Sequence, residues 1–200
     1  MFLTRQPTVS FFETSVTSSC DQLLRQRFLA PDTDPHRARV ERRLLALLMA
    51  QDGSTTRLCE TVAGGPVELQ VPFQRLTGEV PQVVRDGLPG DRFIERRVIL
   101  AAHGQVMMDN LSYIALEGLP DDVRQSLEAG TTPIGYLLER MWVRREFDDR
   151  PATAPLREHL WSACGLPDPA ATRSYRVHTP GGPLMLITET WRRGMLMGLG

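Results

Sequence analysis

The chain reads as an α+β domain, an antiparallel sheet with helices on one side or capping its ends. Three observations predict this. Strand-like runs outnumber helical ones, they neighbour one another as hairpins around Gly- and Pro-rich turns, and no strand–helix–strand alternation suggests a parallel sheet. Two hundred residues with 42% hydrophobic content suffice for one packed core. Residues 1–32, rich in Ser and Thr and weakly patterned, are set apart as an N-terminal extension, with 33–200 as the domain.

Within the extension a short helix is expected around Asp21 to Leu29. From Asp34 a longer helix follows, because Pro35 suits a first turn and Val40, Leu44, Leu47 and Leu48 recur at helical spacing until Asp52-Gly53. Ser54 to Val62 and Val67 to Arg75 read as strands about an Ala63–Pro66 turn. In the second, Val67, Leu69, Val71, Phe73 and Arg75 share a face, and Pro72 marks an edge strand or a bulge. Thr77 to Gly90 is a loop or a short helical flap.

Asp91 to Leu116 is a hairpin turning near His103-Gly104. Its first strand sets Ile94, Arg96, Val98, Leu100 and Ala102 on one face, with Glu95 and Arg97 as a solvated pair on the other. Acidic residues at Asp121 and Asp122 and the closing Gly130 punctuate a short helix. Thr132-Pro133 opens another, with Ile134, Leu137, Leu138, Met141 and Trp142 as its apolar side and Arg140 to Arg145 as its solvated end. Asp148 to Pro155 is a break, and Pro155 to Cys164 a last helix. Arg173 to Trp191 then forms two strands about Pro180-Gly181-Gly182.

Composition excludes several function classes. The net charge is -1, with 23 basic residues dispersed among 24 acidic ones, so no clustered basic face invites nucleic acid. Every basic residue is Arg, which removes lysine Schiff-base chemistry. Three distant cysteines and four histidines without ligand spacing point to neither a disulfide framework nor a zinc site, and no cofactor is expected. GxGxxG, GxxxxGK[ST], HExxH and GxSxG are all absent. No apolar run nears a membrane span and no secretion signal opens the chain, so a cytoplasmic protein with no membrane partner is expected.

What remains is a pair of opposite charges interrupting apolar rows. Met185, Ile187, Glu189 and Trp191 share a strand face, and Arg96 sits in a similar row. A buried carboxylate must pair with a cation or hold its proton, so Glu189 is either an edge residue in solvent or an acid/base group in a closed pocket. An Arg fork binds a carboxylate bidentately. Together they suggest a small anionic organic substrate.

The order of several short motifs is that of a known family. GSTTR at Gly53 to Arg57, QRL at Gln74 to Leu76, ERRVIL at Glu95 to Leu100, LP at Leu119-Pro120, PIG at Pro133 to Gly135, YRV at Tyr175 to Val177 and PLMLITE at Pro183 to Glu189 run in register. From about residue 34 onward the chain resembles the chorismate pyruvate-lyase (4-hydroxybenzoate synthase) family, and more closely its actinobacterial branch. The resemblance implies an antiparallel sheet of about six strands, helical flaps over an internal pocket, and cofactor-free elimination of pyruvate from chorismate to give 4-hydroxybenzoate, within aromatic-acid or secondary metabolism. It places the substrate-carboxylate arginine on Arg96 and the catalytic glutamate on Glu189. The best-known branch has a second arginine where Leu111 aligns here. Arg57, Arg75 or Arg176 could substitute, Arg75 first because it ends an apolar row. The alternatives are a same-fold enzyme for another small carboxylic acid, or a non-catalytic ligand-binding module like the effector domains of some regulators, as a monomer or homodimer.

Overall fold

The computed structural model describes residues 23–31, 34–130 and 132–197. Its frame is β1 (Glu68–Thr77), β2 (Phe93–Ala102), β3 (Gln105–Ala115), β4 (Arg144–Phe147), β5 (Thr172–Thr179) and β6 (Gly182–Trp191). These pair antiparallel throughout, in the order β1-β2-β3-β6-β5-β4. The hairpins expected at His103-Gly104 and Pro180–Gly182 are β2–β3 and β5–β6. His103 and Gly104 both take positive φ (51° and 74°), the mirror-image turn that matches strand twist.

The helices are α1 (Pro35–Ala50), α2 (Thr55–Ala63), α3 (Gln82–Gly87), α4 (Asp121–Ala129), α5 (Ile134–Leu138) and α6 (Ala154–Cys164). α1 starts as expected, with the Asp34 carboxylate accepting from Arg37 N and Pro35 in its first turn. Its buried face is Glu41, Leu45 and Leu48, and Val40 and Leu47 are exposed. Glu41 can turn inward because Arg193 and Arg37 meet it at 2.8 and 3.1 Å.

Ser54 to Val62 is a helix, not a strand. Ser54 caps α2 by accepting from Arg57 N, and Gly64 ends it at φ 72°. The Thr-rich start mimics a strand, yet Thr55, Thr56 and Cys59 fall on one helical face and are buried. β4 also departs from the sequence reading: Arg144 and Arg145 belong to a strand, not to the solvated end of a helix. Residues 23–31 contain no helix. Leu24 donates to Gly104 O and accepts from Val106 N, which holds the segment extended against β3 while Phe28 is buried in the core.

One sheet face is covered by the 23–31 segment, α1 and α2 at one end and by α4 and α5 at the other. α3 and α6 form a further layer on the opposite face, where Val83, Val84, Leu88, Leu156 and Leu160 pack on Leu111, Tyr113 and Leu186. The stretch read as a possible flap at Thr77 to Gly90 therefore covers the far side. Between the two groups on the first face the sheet is left partly uncovered. Among the described residues no helix is long and apolar enough to cross a membrane.

Candidate functional site

The strand register maps the uncovered face in rows. Arg96, Ser112, Ile187 and Tyr175 form one row, and Val98, Asn110, Glu189 and Arg173 form the next. Ile94, Ile114, Met185, Val177 and Arg145 form the row on the other side. All point the same way, since alternate residues of a strand share a face. Arg96 and Glu189 are separated by β3 and two residues of register, roughly 12 Å between Cα atoms on standard sheet spacings.

Above these rows lies a cleft walled by Thr55 and Thr56 of α2 and roofed by Pro133, Ile134 and Leu138 of the α5 flap, with Glu189 and Tyr175 in its floor. Its inner part holds about 40 Å³, room for a few waters. The flap closes tightly: a Cβ on Gly135 would stand 2.6 Å from Thr56 Oγ1 and 3.0 Å from Ser54 Oγ.

Glu189 is fully buried and is held on both oxygens. Arg173 donates to Oε1 from Nε at 2.8 Å and from Nη2 at 2.7 Å, while Tyr175 and Thr55 donate their hydroxyls to Oε2 at 3.0 and 3.1 Å. Arg173 is anchored in turn on the Met49 and Gln51 carbonyls and stacks near Phe147, Tyr175 and Trp191. Of the two fates open to a buried carboxylate, pairing with a cation is the one seen. Burial, and next the Glu189 charge, push the Tyr175 hydroxyl well above its usual range, which keeps it a donor.

Arg96 is equally buried but lacks such a partner. Its Nη2 donates to the Gly130 and Thr132 carbonyls at 3.2 and 3.1 Å, just past the C-terminus of α4. Among the described residues its Nε and Nη1 have no acceptor and no carboxylate lies within ion-pair distance. A helix C-terminus supplies about half a negative charge, so the guanidinium is undercompensated. Burial lowers its pKa to about 10. A buried cation with free donors is chemically able to accept a carboxylate.

A family model described as chorismate pyruvate-lyase Rv2949c-like matches residues 49–196. The chain belongs to this family. No curated protein matches it. Among solved structures it is similar to the ligand-binding domain of a putative GntR-family transcriptional regulator from Bordetella bronchiseptica, at 16% identity over 62% of this chain and 84% of that one, TM-score 0.39. It is also similar to the C-terminal domain of the histidine utilization repressor from Pseudomonas syringae pv. tomato, at 12% identity over 63% and 91%, TM-score 0.40. A putative transcriptional regulator from Streptomyces coelicolor matches at 18% identity over 63% and 86%, TM-score 0.40. At these scores the likeness says nothing of what this member of the lyase-like family does.

The other arginines expected to serve the family's pocket are committed elsewhere. Arg57 is exposed on α2 and paired with Glu139 at 2.8 Å. Arg75 faces the far side, on Glu95 at 2.8 Å, because a bulge between Gln70 and Phe73 breaks the apolar row that seemed to carry it. Glu95 is thus buried with Arg75 and Tyr113 and is not in a solvated pair with Arg97, whose guanidinium lies over Phe73. Arg176 also faces away and pairs with Asp148. Leu111 belongs to the far-face core and does not line this cleft; Asn110 and Ser112, its neighbours, take the pocket side. The sequence reading missed both Arg173, which pairs with Glu189, and Arg145, which lines the cleft. Among the described residues no group of three His, Cys, Asp or Glu could hold a metal ion.

Proposed function

We propose that the protein is a lyase that eliminates pyruvate from chorismate to give 4-hydroxybenzoate. One observation carries this reading: a buried carboxylate and an undercompensated buried arginine project from the same sheet face beneath one helical roof. Family membership supports it, because the family's name is that of the reaction.

In this reading the ring carboxylate of chorismate binds the Arg96 guanidinium, which fixes the ring above the sheet. The carbon–hydrogen bond at the hydroxyl-bearing ring carbon breaks, the ring becomes aromatic, and the neighbouring carbon–oxygen bond releases enolpyruvate. Glu189 accepts the ring proton, and enolpyruvate takes up one proton to become pyruvate, so the reaction balances without water. Aromatisation supplies the driving force, and the protein's task is to fix one conformer and move one proton. Arg173, Tyr175 and Thr55 hold the carboxylate of Glu189 in place for this.

A ring-sized acid does not fit the 40 Å³ inner space, so the α4–α5 roof must move to admit it. A carboxylate gripping Arg96 side-on or end-on needs Nη2, which now serves the Gly130 and Thr132 carbonyls. Binding and release of the roof are thereby coupled.

Purified protein incubated with chorismate tests the proposal. Formation of 4-hydroxybenzoate and pyruvate in equal amounts, lost in Glu189→Gln with the fold retained, is expected. Chorismate bound and returned unchanged would instead make the protein a ligand-binding module.

A further inference from the structure

We infer that Arg145 is the specificity-determining residue for the second acidic group of a dianionic ligand, so that the cleft selects dicarboxylates over monocarboxylates. The inference rests on the lyase reading only in its choice of ligands. A pocket for a dianion needs two cations, and Arg96 supplies one. The position aligned with a second arginine, Leu111, faces the wrong side of the sheet, and Arg57, Arg75 and Arg176 are neutralised by Glu139, Glu95 and Asp148.

Arg145 differs from those three in every relevant respect. It lies on β4 opposite Val177, hence on the pocket face, and it lines the cleft itself. Among the described residues it meets a neutral partner, the Asp52 carbonyl, which accepts from Nη1 at 2.9 Å. Among the described residues no carboxylate forms an ion pair with it. Burial, and next the Glu189 charge, raise the Tyr175 hydroxyl, while the charges of Arg173 and then Arg145 pull the other way.

Position strengthens the argument. Arg145, Gly135 and Leu138 line both the inner cleft and an outer vestibule of about 330 Å³ that Trp142 and Met141 border. A ligand entering from the vestibule passes Arg145 first. Arg96 and Arg145 stand on strands four steps apart, roughly 19 Å along the sheet, with the Glu189 strand between them. Arg145 lines one margin of the cleft and Arg96 lies buried on the other side of Glu189, so an acid held at each end would leave the middle of the ligand over Glu189. Arg145 is only half-exposed, so an anion paired with it is partly shielded from water.

The test is calorimetric titration of chorismate, a dianion, and 4-hydroxybenzoate, a monoanion, into proteins carrying Glu189→Gln so that chorismate is not consumed, with position 145 as wild type, Arg145→Gln or Arg145→Lys, and with thermal melts to verify folding. Arg145→Gln is expected to weaken chorismate by about 10- to 100-fold while shifting 4-hydroxybenzoate less than about threefold. Arg145→Lys should restore most of the dianion preference. An equal effect of Arg145→Gln on both ligands, or none on either, would overturn the assignment. The two readings separate cleanly. A wild type that turns over chorismate but whose preference ignores Arg145 keeps the lyase and sinks this inference. A wild type without turnover whose dianion preference vanishes in Arg145→Gln does the reverse. Binding of neither ligand sinks both.

Discussion

Arg96 and Arg192 are both fully buried arginines, and their surroundings could hardly differ more. Arg192 places Nε on the Asp109 carboxylate at 2.5 Å and Nη1 on the Leu166 carbonyl at 2.9 Å, leaving only Nη2 without an acceptor. Asp109 also receives Arg25 at 3.0 Å, which ties the 23–31 segment to β3. Among the described residues Arg96 meets two carbonyls and no carboxylate, and its Nε and Nη1 find no acceptor. A buried ion is tolerated when paired and hydrogen-bonded, and is otherwise costly. Arg192 obeys that rule as a structural rivet, whereas Arg96 breaks it. In the proposed reading, a ligand carboxylate supplies the counter-charge at Arg96.

Substitutions at the two positions should therefore behave in opposite ways. The largest effect is expected for Arg192→Met, which strands Asp109 with Arg25 alone and should cost about 3 kcal/mol in denaturant unfolding. Arg173→Met should come next, on the order of 2 kcal/mol, because it leaves the Glu189 carboxylate with two hydroxyls and no counter-charge. Arg96→Met should lie within about 1 kcal/mol of wild type, or above it, since it removes a desolvated charge. A loss at Arg96 as large as at Arg192 would erase the distinction.

A smaller effect is expected from acid. Against the burial that would raise it, hydrogen bonds from Arg193 and Arg37 hold the Glu41 carboxyl below its usual 4.5. The folded pKa is thus depressed, so this stabilisation is present above about pH 4.5 and is lost as pH falls through the folded value. Urea midpoints between pH 5 and 3 should decline less steeply in Glu41→Gln than in wild type. Identical slopes would remove Glu41 as the contact through which α1 holds the C-terminal turn.

Much of this was legible beforehand. Period-two alternation is a local property, so the shared faces of Arg96 and Glu189 could be read along each strand without knowing the neighbours. Register across strands could not. Counted outward from the Pro180–Gly182 turn, Arg173 would fall opposite Thr188, but the shift between Val177 and His178 brings it to Glu189. The bulge at Gln70/Phe73 turned Arg75 away by the same physics, and a one-residue offset sent Leu111 to the far face. α2 was misread because its signal is a capping Ser and a terminal Gly around β-branched residues, where local propensity and tertiary context disagree. The four residues of β4, which carry Arg145, are too few for any pattern to show.

The most direct test of the central claim is titration of 4-hydroxybenzoate into wild type and Arg96→Met, each first shown to be folded by its thermal melt. A carboxylate seated on Arg96 predicts measurable binding to wild type and a loss of roughly 100-fold or more in the variant, without loss of ligand-free stability. Equal affinity in the two proteins would mean that the unpaired guanidinium is no binding site, and the account would fail with it.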